Sequence, residues 1–208
     1  MEKTKAIINV HLERFPDFEY YLRILEVIEV NLDSLPDTSI EACQSLIGGI
    51  SKSILNELRG SYNDGERADS VSSLVKKVLL MFNGYVDIDE SFIQHTCGLV
   101  GRMGEIRNER GDIAHGKVVP KTRNSNPLLA HTISDITDTL VNYILNIYFI
   151  TDWGGLAAIK YEDHQNFNEE LDDQHQLDGI SYSRALFDQD PISYEEMLNN
   201  YLSEKDST

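Results

Sequence analysis

The chain has 208 residues, with 35 acidic residues against 18 lysines and arginines and a formal net charge of −17 at pH 7. This charge argues against a protein that coats nucleic acid nonspecifically, because such proteins need a broad positive surface. No apolar run approaches the roughly 18 residues of a membrane span, the first residues lack the apolar core of a secretory signal, and the two cysteines form no metal-type spacing. We therefore expect a cytoplasmic protein with buried free thiols, no membrane contact and enough chain for one domain with an appendage.

The acidic residues are concentrated in the C-terminal part of the chain. Residues 151–208 carry fourteen acidic and three basic residues, and their net charge of −11 leaves only −6 for residues 1–150. Between residues 101 and 124 the sign reverses, with six basic against three acidic residues. A small positive patch in an acidic protein is suited to binding one or two phosphates and not a long duplex.

Apolar residues recur at intervals of three and four along most of the first 150 residues, which is the pattern of amphipathic helices. Five helices are predicted, at about 18–32, 38–59, 70–82, 89–110 and 127–150, whereas residues 1–14 form either a short helix or an arm. The second of these helices has a strict 3-4 alternation, as in the seam of an antiparallel bundle: Ile40, Cys43, Ile47, Ile50 and Ile54. The sequence thus predicts an all-α fold, an antiparallel bundle of four to five helices over residues 1–155.

Local motifs within these helices make more specific predictions. Thr38 and Glu41 form a capping box, in which the Thr38 hydroxyl accepts the Glu41 amide and the Glu41 carboxylate reaches back. Gly48 and Gly49 lie inside a helix, where each costs roughly 1 kcal/mol against alanine, so we expect another helix close to them. Three further glycines at i, i+3 and i+6 form a smooth ridge for a partner in the same chain or in a second subunit: Gly98, Gly101 and Gly104.

The remaining residues, 156–208, are predicted to be an acidic C-terminal extension. Residues 161–179 are rich in Gln, Asn and His and poor in apolar residues, so we expect a long loop or a partly disordered segment. A short helix follows over residues 192–202, with four apolar or aromatic side chains on one side. This helix either docks on the bundle or acts as a short motif that binds a partner.

The most informative stretch for chemistry is Glu105-Ile-Arg-Asn-Glu-Arg-Gly-Asp-Ile-Ala-His-Gly116. Arg107 and Arg110 stand at i and i+3 and project from the same face of the fourth helix. Gly111 ends the helix and lets the backbone turn, so His115 can fold back towards the two guanidiniums. Because arginines bind phosphate oxygens and an imidazole titrates near neutrality, the pattern indicates phosphate chemistry.

This stretch resembles the signature of the HEPN superfamily, helical ribonucleases common in prokaryotic toxin and anti-phage systems. It is most similar to the abortive-infection C-terminal type of domain in that superfamily. A second segment, residues 40–55, resembles the first conserved helix of that group and lies at about the expected distance upstream. The likeness covers roughly residues 36–150 and so includes most of the predicted bundle.

The spacing of the motif leaves two candidates for its arginine. The superfamily pattern places four to six residues between the arginine and the histidine. Arg110 to His115 leaves four residues, and Arg107 to His115 leaves seven. Either Arg110 is the motif arginine, or Arg107 with Asn108 is, and the loop is one residue longer than the pattern.

The resemblance implies RNA cleavage without metal or cofactor, at a composite site where two subunits of a homodimer meet. His115 would act as general base on the ribose 2′-hydroxyl or as acid on the leaving 5′-oxygen. Arg107 or Arg110 would hold the phosphate oxygens, and Asn108 would orient the histidine or one of those oxygens. The neighbouring cations would bind the substrate: Lys117, Lys121 and Arg123.

A second interpretation is a non-catalytic interaction module. In that case the acidic C-terminal region would bind a basic protein, such as an antitoxin or another component of a defence system, or would mimic nucleic acid. A third is nucleotide binding at the basic pocket without cleavage. The first two interpretations differ in whether arginine and histidine are required for toxicity.

Overall fold

The computed structural model of the chain describes residues 1–59, 69–111, 120–153, 161–175, 179 and 181–205. In these ranges the structure is predominantly helical and contains no strand, so the all-α prediction is confirmed. The α-helices are α1 (Glu2–His11), α2 (Glu19–Asn31), α3 (Pro36–Arg59), α4 (Val71–Asn83), α5 (Glu90–Arg110), α6 (Pro127–Ile150), α7 (Gln165–Gln174), α8 (Tyr182–Gln189) and α9 (Pro191–Lys205). Two short 3-10 helices precede α2 and α7, namely η1 (Pro16–Phe18) and η2 (Tyr161–His164).

Helix α3 lies at the centre of the bundle and contacts α2, α4, α5 and α6. Its predicted seam is almost completely removed from solvent: Ile40, Cys43, Ile47, Ile50 and Ile54. Burying such a stripe against several helices supplies the main favourable free energy of folding. The five predicted helices are confirmed as α2 to α6.

The first residues form a helix, α1, and not an arm, two possibilities that the sequence left open. Helix α1 packs on α6, and Asp138 of α6 accepts the backbone N–H groups of Thr4 at 2.9 Å and Lys3 at 3.2 Å. Burial alone would raise the pKa of Asp138, but these N–H donors outweigh it and the pKa is lowered. The first N–H groups of a helix have no partner within the helix, so a carboxylate that accepts them stabilises the helix start. The same donors and the helix dipole stabilise the negative charge of the carboxylate.

Side-chain caps start three of the helices. The side chains of Ser70, Asp89 and Asn126 accept the backbone N–H groups of Ser73, Phe92 and Leu129, respectively. Helix α3 begins instead at Pro36, two residues before Thr38, so the predicted capping box is wrong. Proline favours the first helical position, because its φ is already helical and its missing N–H would lack an intrahelical partner there.

The interior glycines mark close approaches between helices of the same chain. A Cβ atom on Gly49 would lie 3.0 Å from the ring of Tyr21 in α2, and one on Gly104 would lie 3.5 Å from the side chain of Gln44 in α3. The predicted proximity is therefore observed at these positions. Gly98 differs, since no described atom lies within 4 Å of the position its Cβ would take.

The C-terminal residues are more ordered in structure than the sequence predicted. Residues 161–174, expected to be a loop or partly disordered, form η2 and α7, and the helix expected at 192–202 is the longer α9. Helices α7, α8 and α9 share a small core of their own: Phe167, Leu171, Phe187, Tyr194 and Leu198. Few apolar residues suffice here because they are large, and because the buried Tyr194 hydroxyl donates to Asn168 Oδ1. Helix α9 thus packs on α8 and is not an isolated motif.

Candidate functional site

The last turn of α5 carries the candidate site. Arg107, Asn108 and Arg110 lie in this turn, and Gly111 follows it. Both guanidiniums stand where the helix dipole is negative, which favours cations at this end of a helix. Arg107 donates from Nη1 to Asn108 Oδ1 at 2.9 Å, so these two neighbours form one polar unit.

Arg107 is half-buried and lines two depressions on the surface. One is a groove between α3, the start of α4 and α5, and the other is a smaller apolar hollow between α2 and α3. Its Nε atom is shielded from solvent and has no hydrogen-bond partner among the described residues. A guanidinium that lines open space can offer its terminal N–H donors to an anion.

Arg110 has a different environment, although it lies only one turn further along the helix. Its Nη1 donates to the hydroxyl of Ser125 at 3.2 Å, and Ser125 is buried in the segment that precedes α6. This hydrogen bond ties the end of α5 to the start of α6. Arg110 Nε, like that of Arg107, is shielded from solvent and has no hydrogen-bond partner among the described residues. The two arginines differ in their surroundings: Arg107 lines open depressions, and Arg110 joins two parts of the fold.

A glycine is needed at position 111 because a side chain would have no room there, and not because the backbone adopts a conformation that only glycine allows. The helix ends at this position as predicted, and the φ of −64° and ψ of 147° of Gly111 are extended values that any residue adopts. A Cβ atom here would lie 2.6 Å from the carbonyl oxygen of Arg107, 2.7 Å from Glu41 Cδ and closer still to Glu41 Oε1. Glu41, expected to complete a capping box, instead presses its buried carboxylate against the backbone that leaves α5.

The segment that precedes α6 is also fastened to the first turns of α3. Asp37 accepts Lys121 Nζ at 2.7 Å and the backbone N–H of Ser125 at 3.2 Å. Burial opposes the charge of Asp37, but the Lys121 ammonium and the Ser125 donors outweigh it and lower the pKa of Asp37. Asp37 and Glu41 are i, i+4 neighbours on one face of α3. From that face Asp37 binds the chain after residue 119, and Glu41 lies against the backbone before residue 112.

The three cations predicted to bind substrate have different positions. Lys121 is only 17% exposed and paired with Asp37, so its position is that of a structural cation. Arg123 is well exposed and lies 3.1 Å from Glu109 Oε2. Lys117 lies outside the described residues, as do His115 and the rest of residues 112–119, and the structure does not place them.

The groove beside Arg107 contains a residue that the sequence did not indicate. It has a volume of about 590 Å³, and Arg107 and Asn108 line it together with Lys52 of α3. Lys52 lies 55 positions before Arg107, within the segment 40–55 that resembles the first conserved helix of the family, but the sequence did not mark it as a site residue. Only the packing of α3 against α5 brings it to the same surface feature.

Other types of site find little support in the described part of the chain. Cys43 and Cys97 are buried free thiols, and burial raises the pKa of Cys43 to about 12, so it stays protonated. No group of three or more His, Cys, Asp or Glu side chains is arranged there to hold a metal ion. None of the described helices combines the length and apolarity needed to cross a bilayer.

Comparison with known proteins assigns a family to this arrangement. The sequence profile of the Abi_C family, described as a HEPN-like domain, matches residues 19–148, which is more than half of the chain. The match runs from the start of α2 into the last turn of α6 and includes the arginines at the end of α5. No curated protein and no solved structure gives a significant match.

Proposed function

The chain belongs to the Abi_C family of HEPN-like domains, a module associated with abortive infection, and from this premise we propose that it is a metal-independent endoribonuclease of a toxin or anti-phage system. The observation that carries the proposal is the environment of Arg107. It pairs with Asn108 at a helix end and lines an open groove. A planar fork of donors beside open space suits a phosphate group.

We assign the motif role to Arg107 with Asn108, and a positioning role to Arg110. Arg107 would hold the non-bridging oxygens and stabilise the charge that develops on phosphorus in the transition state. Asn108 would keep the guanidinium in place or contact an oxygen itself. Arg110, through Ser125, would hold the segments on either side of residues 112–119 in register.

His115 completes the proposed chemistry. As a general base it would take the proton of the ribose 2′-hydroxyl, whose oxygen attacks phosphorus, while the bond to the 5′-oxygen breaks and that oxygen receives a proton. The products are a 2′,3′-cyclic phosphate and a free 5′-hydroxyl, and DNA resists because it has no 2′-hydroxyl. In the proposed homodimer, the second subunit would add its own arginine and histidine to a composite site.

The test compares wild type with His115→Ala and Arg107→Ala, in cells and with purified protein. We expect wild type to arrest growth and to fragment RNA in the presence of EDTA, leaving 2′,3′-cyclic ends. Both variants should be harmless and inactive while melting within a few degrees of wild type. Equal cleavage by wild type and His115→Ala would refute the assignment.

A second candidate function is a non-catalytic interaction module. One observation favours it. The acidic helices α7 to α9 pack around a core of their own, so their carboxylates lie on the surface of a folded unit. Such a unit suits a basic protein partner. If wild type and His115→Ala are equally toxic, or equally harmless when the complete defence system is present, this function takes precedence.

A further inference from the structure

The groove that begins at Arg107 extends along two helices. On α3 its wall is formed by residues one turn apart: Gln44, Gly48 and Lys52. On α5 the facing residues are Gly101, Gly104 and Arg107, and the start of α4 closes one side. From residue 44 to residue 52 the helix rises about 12 Å. The groove therefore connects the candidate phosphate site with a second cation on another helix.

Glycines form the floor of this groove and, having no side chains, leave it unfilled. A Cβ on Gly101 would meet nothing closer than Ser72 Oγ at 3.7 Å, and one on Gly104 would be 3.5 Å from Gln44 Oε1. Alanine would fit at both places, but a longer side chain at position 101 would have to extend into the groove. Val71 and Val100 also line the groove. A flat ring has room to lie against this surface.

The charges around the groove favour an anion next to that ring. Lys52 and Arg107 line it, and the first N–H groups of α4 lie at its side, where a helix favours negative charge. The acidic residues that also line it have cationic partners. Asp69 accepts Lys77 at 3.0 Å, and Glu105 pairs with Arg102.

We propose that the groove binds single-stranded RNA beside the cleaved phosphate, with one base against the glycine floor and the next phosphate at Lys52 and the start of α4. This inference rests on the proposed function, because Arg107 marks the position of the cleaved phosphate. A volume of about 590 Å³ is in the range of small-ligand sites, and it accepts a nucleotide or two but not a duplex. Base stacking and backbone charge together are the usual means of holding a single strand.

The experiment measures the Kd of a fluorescent oligoribonucleotide whose 2′-hydroxyls are methylated, so that binding is separated from cleavage. Gly101→Leu fills the groove, and Gly98→Leu is its matched control, on the same helix one turn earlier with open space above it. We expect Gly101→Leu to weaken binding by roughly five- to a hundredfold, the effect of losing one stacked base. Gly98→Leu should bind like wild type.

Lys52→Gln provides a second measurement that does not depend on filling the groove. We expect it to lower the slope of log Kd against log salt concentration by about 0.7, the value for one phosphate contact on a single strand. Unchanged binding and slope in Gly101→Leu and Lys52→Gln, equal losses in Gly98→Leu, or equally tight binding of duplex RNA would overturn the proposal. Binding that requires the groove without any cleavage of ordinary RNA would instead refute the nuclease assignment alone.

Discussion

Replacing Gly111 with alanine tests how the structure positions the chain that leaves α5. The φ of −64° and ψ of 147° suit alanine, so the smaller entropy of the unfolded chain would by itself stabilise the variant by about 0.4–1 kcal/mol. Against this, the new methyl group meets the Arg107 carbonyl oxygen and the Glu41 carboxylate. Forcing a methyl group into a packed site costs about 1–3 kcal/mol.

Because the new Cβ would lie 2.6 Å from a backbone oxygen, the cost falls in the upper half of that range, about 2–3 kcal/mol. The balance is a net loss of about 1–2.6 kcal/mol in the free energy of unfolding. For a chain of this size, that corresponds to a fall in Tm of roughly 2–10 °C. We also expect RNA cleavage to fall by about tenfold or more, because small displacements of reacting groups have effects of that size. The displaced backbone leads directly into residues 112–116, which include His115.

The assay is thermal and urea unfolding of wild type, Gly111→Ala, Glu41→Ala and the double variant. Removing the Glu41 side chain relieves one of the two collisions, so the double variant should lose less stability than the sum of the single losses. The Arg107 carbonyl remains, and the rescue should therefore be partial. Strictly additive losses, or a Gly111→Ala protein as stable as wild type, would refute the close contact.

Three further predictions follow from the same structure. Gly98→Ala should raise stability by about 0.8–1 kcal/mol in urea unfolding, because alanine favours the helix and no described atom crowds the new methyl group; a loss would show that this face is covered. Arg107→Lys should reduce kcat for RNA cleavage with an unchanged Tm, whereas Arg110→Lys should lower Tm, since it weakens the contact with Ser125; the opposite pattern would exchange their roles. The pKa of Asp37 is lower in the folded protein than in the unfolded chain, so the ionised carboxylate stabilises the fold at neutral pH. This contribution is lost as the pH falls below about 4 and through the pKa of the folded state. In Asp37→Asn, the free energy of unfolding, measured by urea titration at several pH values, should therefore fall less steeply than in wild type as the pH is lowered.

The helices of this protein could be predicted because their signals are local. Ser70, Asp89 and Asn126 satisfy N–H groups three residues away, and the isoleucines of α3 repeat with the helical period. The family was also identified from neighbouring residues, those around Arg107 and Asn108. Hydrogen bonds and side-chain contacts within one or two turns depend on little beyond adjacent residues.

The organisation of the site depends on contacts between distant residues, and the sequence did not indicate them. The sequence assigned Glu41 to a helix cap and Lys121 to substrate, but the structure places Glu41 against Gly111 and Lys121 on Asp37. Lys52 joins Arg107 only because α3 packs against α5. The small core of α7 to α9 similarly joins residues from three separate helices.

By itself, the sequence determined where the helices of the bundle run, which family the chain belongs to and which arginines deserve testing. Only the tertiary structure decided that Arg107 faces a groove while Arg110 ties α5 to α6. It also decided that the first turns of α3 lie against the chain on both sides of the motif segment. The physical reason is that burial and charge pairing depend on which side chains meet in space. Residues 37, 41 and 52 of α3 approach residue 107 of α5 and residue 121, which precedes α6, only when these parts of the chain pack together.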